Sequence, residues 1–241
     1  MTTTTFSRDF TRRSNEPEWL DGADLDGEEL AAVLRDLASF NRTMLGHYPI
    51  LNWLGRAIRD LRPERPLNLI DAGCGYGDLL RAIRRWADRR GLEVALLGLD
   101  SNKQTIRIAR AATDPRERID FAVADALHFR PAAPVDLIVN SLLAHHLRDT
   151  EIVDLLRWME ATARCGWLVC DLQRHPLPYH AIGVAGRLSR LHRTVIHDGQ
   201  ISVMRALSRA EWNAALAAAG IPRRAATVRS FLFRWLIGRQ R

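Results

Sequence analysis

The sequence predicts an α/β fold: a mostly parallel sheet with helices on both faces. Three observations carry that expectation. An apolar run, Leu67–Ala72, passes through three alternating glycines, Gly73, Gly75 and Gly77, into a segment where Leu79, Leu80, Ile83, Trp86 and Ala87 recur at helical spacing. Further short apolar runs, Leu92–Asp100, Arg118–Ala124, Val135–Ser141 and Trp167–Asp171, alternate with helical segments, as strand–helix–strand crossovers do. Arg224–Ser230 and Phe231–Ile237 follow each other with no helix between and read as a terminal antiparallel hairpin.

Taken in order, residues 1–15 are rich in Thr and Arg and poor in apolar side chains, and read as a mobile tail. Residues 16–64 read as an N-terminal helical cap. One helix spans Asp24–Phe40, with Leu25, Leu30, Val33, Leu34 and Leu37 at helical spacing. A second runs from about Arg42 to Leu61 and stops before Pro63. The segment Asn41–Tyr48 mixes polar, flexible and aromatic groups, so this cap either packs on the sheet or covers a site. Residues 65–241 form the main domain. In its glycine turn each missing Cβ lets backbone pass where a side chain would block a ligand or strain φ, and the amides of the following helix face into the turn.

Asp100 ends the second strand and can either hold a ribose with its two acceptor oxygens or cap the helix that follows, alongside Ser101 and Asn102. Asp125 and Ala126 follow the third strand, and Pro131–Pro134 marks a turn. Asn140 ends the fourth strand, ahead of His145 and His146. In doubly wound sheets ligands lie at the carboxyl ends of strands near the reversal of strand order, so Asn140 to His146 should face one. Asp149 and Thr150 can cap a helix over Ile152–Ala163. Pro176–Leu191 reads as a helix inserted after strand five. Arg193–Arg205 contains His197-Asp198-Gly199-Gln200, which reads as a turn. Ser208 and Glu211 form a capping-box pattern for Ser208–Ala219, which Gly220-Ile221-Pro222 stops.

Composition sets bounds. The chain has 241 residues, of which 47% are hydrophobic, enough for one α/β domain with additions. Its net charge of +7 attracts anions, but the arginines are scattered rather than gathered into a block. Cys74, Cys165 and Cys170 form no C-x-x-C pair and read as reduced thiols. No run approaches the ~20 apolar residues of a membrane span, and the N-terminus has no apolar signal core. The expectation is a cytoplasmic protein.

The glycine spacing is G-x-G-x-G with Asp71 before it, unlike the dinucleotide fingerprint. It resembles motif I of the class I S-adenosylmethionine-dependent methyltransferases. The run Ser141-Leu142-Leu143-Ala144-His145-His146-Leu147 looks like the fourth motif of the small-molecule members, of ubiquinone/menaquinone or secondary-metabolite type. The resemblance covers about residues 65–240. It implies a Rossmann-like seven-stranded sheet and S-adenosyl-L-methionine as cofactor. It implies that Asp71, Gly73, Cys74, Gly75 and Gly77 wrap the cofactor's amino acid and ribose. Asp100 and Ser101 would hold the ribose, Asp125 and Ala126 the adenine, and Asn140 would lie near the sulfonium. N-terminal helices often form a lid in this family. No N-P-P-Y follows the fourth strand, which argues against nucleic-acid amino methylation.

Methyl transfer needs a base only when the acceptor must lose a proton. A phenol does, and a histidine can take that proton; a carboxylate needs no such help. His145 and His146 are therefore the catalytic candidates, one as base or acceptor-orienting group, with a purely structural role as the alternative. Two adjacent histidines alone make a poor metal site, so no metal is expected. His175 and Tyr179 are candidate substrate walls, or else surface or core residues; His197, Asp198 and Arg205 are weaker candidates. The expected activity is O-methylation of a small aromatic or polyketide-like acceptor by a monomer or homodimer. The alternatives are an RNA-modifying or RNA-binding protein and a non-catalytic interaction protein of the same fold.

Overall fold

The computed structural model describes residues 8–22, 26–59, 65–188 and 191–241. The strands are β1 (Leu67–Ala72), β2 (Val94–Asp100), β3 (Ile119–Val123), β4 (Val135–Ser141), β5 (Ala163–Leu172), β6 (Thr227–Phe231) and β7 (Arg234–Gln240). They form one sheet in the order β3-β2-β1-β4-β5-β7-β6. β1 to β5 are parallel, and β7 runs antiparallel to both β5 and β6. The chain walks outward from β1 to β3, then crosses back to β4. The reversal therefore lies between β1 and β4, where a crevice opens at the carboxyl ends.

Side-chain alternation along the central strands sorts the core into two layers. Leu69, Leu137, Val139, Leu168 and Cys170 face one way, onto α3 (Tyr48–Ala57) and α4 (Asp78–Asp88) through Ile50, Trp53, Leu54, Leu80, Ile83 and Trp86. Ile70, Ile138, Trp167 and Val169 face the other way, onto α6 (Asp149–Thr162) and α9 (Arg209–Ala218) through Leu155, Leu156, Met159, Trp212 and Leu216. The Ser208–Glu211 capping box is present on α9. α6 opens one residue earlier than its expected caps: Arg148 is the N-cap, and its amide donates to Glu151 at 2.7 Å. Asn102 caps α5 (Lys103–Ala111) by accepting from the amides of Gln104 and Thr105.

The N-terminal part differs from the expectation. α2 (Gly27–Thr43), capped by Asp26, runs further than Phe40. The helix expected over Arg42–Leu61 is broken: Leu45 turns to φ +53°, Gly46 donates to the Asn41 carbonyl at 2.7 Å, and Pro49 starts a new helix, α3. α3 belongs to the sheet's own helical layer, so only α1 (Trp19–Gly22) and α2 cover the top of the domain. Asp24 and Leu25, and the expected end at Leu61 and Pro63, lie outside the described residues, as do residues 1–7 of the tail. From Arg8 on the tail is tied down rather than loose. Arg13 donates from Nε to the Arg205 carbonyl at 2.6 Å and from Nη2 to the Leu147 carbonyl at 2.7 Å.

The turn expected at His197–Gln200 is instead the middle of a continuous helix, α8 (Arg193–Arg205), antiparallel in sequence to the inserted α7 (Pro176–Leu188) that it packs against. Its turn-like residues serve contacts. The Asp198 carboxylate accepts the amides of Trp19 and Leu20, both at 2.9 Å, and so starts α1. A Cβ at Gly199 would stand 3.0 Å from Ile182 on α7. No helix among the described residues is long and apolar enough to cross a membrane.

Gly98 on β2 is tightly packed beneath the glycine turn. A Cβ there would meet Cys74 Sγ, Leu80 and Phe121, each at 2.8 Å. Gly98→Val should therefore cost about 1–3 kcal/mol through overpacking. Urea unfolding reads this, and a loss under about 0.5 kcal/mol would mean that β2 and α4 have slack.

Candidate functional site

The end of β2 holds the glycine loop. The Leu99 carbonyl accepts the amides of Gly73 and Cys74, both at 2.8 Å, and Asp100 Oδ2 accepts the amide of Gly75 at 3.1 Å. Asp100 Oδ1 also takes the Asn102 amide at 2.9 Å. Gly73, Gly75 and Gly77 sit at φ +74°, +50° and +74°, where L side chains are strained. Their surroundings differ. A Cβ on Gly77 would stand 2.8 Å from the Phe121 ring, whereas a Cβ on Gly75 would meet nothing within 4 Å. Gly77 is buried structure; Gly75 faces open space.

That space is a cavity of about 290 Å³ at the β1/β4 reversal. The loop and Asp100 form its floor, Leu143 and the histidine turn one wall, α2 its roof, and Ile182 and Val195 the far side. Its charged lining is mostly acidic: Glu18, Asp71, Asp78, Asp100 and Asp198, against His47, Arg234 and the histidine pair. Burial pushes the Asp71 carboxyl well above the usual carboxylate range, and Asp78 and Asp100 push it the same way. Burial also raises Asp100, with the amides of Asn102 and Gly75 opposing. Asp71 Oδ1 and Asn140 Oδ1 are buried without a hydrogen-bond partner among the described residues, while Asn140 Nδ2 donates to the Ala72 carbonyl at 2.6 Å. Burial raises the Cys74 thiol as well, which makes it an inert wall and not a nucleophile. All three cysteines are free.

After β4, Leu142 adopts φ +59° and the chain closes a 3-10 turn, Ala144–His146. His145 is buried. Its Nδ1 lies 2.7 Å from Asp171 Oδ1, and its amide donates to Asp171 Oδ2 at 3.1 Å. Burial alone raises the Asp171 carboxyl, but the charge and hydrogen bonds of His145 and the Leu172 amide more than offset it, leaving it below the usual value. His146 is half-buried, its ring 4.3 Å from that of His145. The two Nε2 atoms stand 3.7 and 3.8 Å from the carboxylate of Glu18, a buried residue that also accepts from Ser202 Oγ at 2.8 Å. Arg13 and Arg205 hold the turn from outside, each donating to the His145 carbonyl, at 3.0 and 3.1 Å.

The structure thus brings together Asp71, Gly73, Cys74, Gly75, Asp100, His145 and His146, with Gly77 and Asn140 packed just behind. Others stand apart. Ser101 is exposed past the end of β2, and Ala126 is core. Asp125 is exposed and occupied by its own turn: it accepts the Leu127 amide at 3.0 Å and meets His128 Nδ1 at 2.7 Å. His175 and Tyr179 do not line the cavity. His175 is exposed, accepts the Leu177 amide at 3.1 Å to start α7, and stacks on Phe233; Tyr179 packs edge-on against Phe10. The sequence reading missed Glu18, Asp171 and Ser202. Asp171 carried the available signal, a carboxylate at a strand's carboxyl end.

The strand order and the glycine loop form a Rossmann-like sheet of the kind found in methyltransferases of known structure. Residues 69–179 match the family model described as a methyltransferase domain. Trans-aconitate 2-methyltransferase of Streptomyces avermitilis is 32% identical over 58% of this chain and 53% of its own length. The protein of the same name from an Azoarcus species is 35% identical over 42% of this chain and 40% of its own. The chain spans about half the length of the curated relatives it matches. Among solved structures, the plantazolicin methyltransferase BamL, in complex with a triazolic desmethylPZN analog and SAH, superposes with a TM-score of 0.64 at 14% identity, over 89% of this chain and 75% of that one. At that identity the likeness is one of fold.

The buried Asp71 gives a pH prediction. Its folded carboxyl titrates above its unfolded value of 3.8, so the folded state holds the extra proton in that window, and stability falls as pH rises through it. Asp71→Asn removes that fall. The variant should be more stable than the parent at neutral pH, with the gap closing toward about pH 4, in urea unfolding at both pH values. A variant less stable at every pH would mean that the carboxylate supports the fold.

Proposed function

We propose that this chain binds S-adenosyl-L-methionine in the glycine loop and methylates an oxygen of a small molecule held in the adjoining cavity. The observation that carries this reading is the open face of Gly75 beside the two oxygens of Asp100, within an acid-lined space. A carboxylate oxygen that has accepted one amide still has a lone pair for a sugar hydroxyl. The buried acidic groups favour a ligand bearing positive charge, and the cavity's orphaned Asp71 Oδ1 is an acceptor such a ligand can meet. When bound, the cofactor supplies a methyl group already activated on a sulfonium.

The protein's part is then positioning and exclusion of water. Leu143, Ile182 and Val195 supply apolar walls, and α1 and α2 close the top. The histidine turn stands at the acceptor end. His145 is fixed by Asp171, and His146 presents its ring at the rim as the orienting group. The acid-lined cavity has the wrong sign for a phosphodiester backbone, which disfavours an RNA substrate.

The relatives named trans-aconitate 2-methyltransferase support a carboxylate oxygen as acceptor, which needs no base. A phenolic or polyketide-like acceptor is the second reading. The Asp171–His145 pair supports it, because a carboxylate that orients an imidazole is how a general base is held.

Calorimetry with S-adenosylhomocysteine should show micromolar binding. Asp100→Ala should weaken it at least about tenfold, the loss of one charged hydrogen bond of about 1.5–3 kcal/mol. No heat with the parent chain removes the reading. Gly75→Ala should abolish binding while the chain stays folded, because its Cβ enters the ligand's space and not the protein's. Production of S-adenosylhomocysteine should rise with trans-aconitate and related acids, and a rise with phenols alone would select the second reading.

A further inference from the structure

Glu18, His145 and His146 offer three ligand atoms that all lie within 4.8 Å of one another. They come from two distant parts of the chain, the segment before α1 and the turn after β4. The geometry is specific. Nε2 of each histidine is aimed at a different oxygen of the Glu18 carboxylate, at 3.7 and 3.8 Å. Both distances exceed the 2.7–3.2 Å of an N–H···O hydrogen bond. They approach the about 3.3–3.6 Å that separates the ligand atoms of a tetrahedral ion with bonds of about 2.0–2.2 Å.

The surroundings sharpen the point. His145 Nδ1 is engaged by Asp171 at 2.7 Å. With Nδ1 engaged, Nε2 is the ring nitrogen that faces Glu18. A carboxylate on the far nitrogen of a histidine is also the outer support that metal-bound histidines carry. Ser202 gives the first ligand carboxylate the same kind of support, through its hydroxyl to Glu18 Oε1 at 2.8 Å. All three residues line the cavity, so coordination positions remain open on the side where an acceptor would sit.

We propose that Glu18, His145 and His146 form a binding site for one divalent first-row transition-metal ion. Two imidazole nitrogens and one carboxylate with open positions suit zinc or ferrous iron, not the all-oxygen shells of calcium or magnesium. The open positions take oxygen donors of the small molecule, a carboxylate or a hydroxyl. That use in substrate binding rests on the methyl-transfer reading; the existence of the site does not.

The test uses the full, tag-free chain, stripped with chelator and titrated with Co²⁺. Visible d–d bands report the coordination, and elemental analysis of the Zn²⁺-loaded chain reports stoichiometry. The expected result is one ion per chain with the intense bands of a low-coordinate site. Glu18→Gln and His146→Ala should each weaken Co²⁺ binding at least about 100-fold, and Asp171→Asn about 10–100-fold, as loss of outer support does. Far-UV circular dichroism identifies a variant that fails to fold, and in that case the parent's own bands and stoichiometry decide. A parent chain without those bands, or a folded Glu18→Gln that binds Co²⁺ as tightly as the parent, overturns the site. S-adenosylhomocysteine calorimetry on the same stripped chain separates the two proposals: binding without Co²⁺ uptake removes this one and keeps methyl transfer.

Discussion

The loop-to-strand clamp at the end of β2 is the constraint on which the rest depends. One carbonyl, Leu99, takes two amides of the glycine loop, and the next side chain, Asp100, takes a third. That arrangement is possible only because Gly73 and Gly75 adopt φ values that other residues resist. It fixes the loop against the sheet while leaving Gly75 facing space. Gly98 below has no Cβ, so Cys74, Leu80 and Phe121 can close under the loop. The cavity floor is therefore a consequence of backbone hydrogen bonding and missing side chains, not of any large residue.

The acceptor side is built in a different way. Its turn is held through carbonyls and carboxylates by long-range contacts. Arg13 and Arg205 reach the His145 carbonyl from the chain's beginning and from α8, and Asp171 reaches the ring and amide of the same residue from β5. Glu18 stands among them because Asp198, on α8, starts α1 one residue later. Three segments far apart in the chain thus converge on two adjacent histidines. Buried carboxylates are costly unless paired or hydrogen-bonded, and here each finds partners: Asp171 with His145, Glu18 with Ser202. Asp71 is the exception, with one oxygen unpartnered among the described residues, and its raised protonation is the physical response.

What the sequence determined by itself was the sheet and the loop. Apolar runs of strand length ending in polar residues locate β1 to β5, because a strand buried on both faces needs continuous apolar side chains. Alternating glycines announce the bend, because few other residues tolerate φ near +74°. Asp100 was legible for the same reason: it ends its run. Where local pattern and tertiary use diverged, the reading failed. His197-Asp198-Gly199-Gln200 has the composition of a turn, yet it lies within a helix, since Asp198 serves the amides of another segment and Gly199 serves the approach of α7. His175 and Tyr179 follow a strand end, yet a helix start and an aromatic contact draw them away from the cavity.

Only the tertiary structure could bring Glu18 to His145 and His146. No periodicity or spacing links a residue before the first helix with a turn after the fourth strand, because their meeting depends on how α8 packs and which amides Asp198 caps. The side chains that share the cavity were decided by packing, the sum of many weak contacts that one-dimensional pattern does not encode.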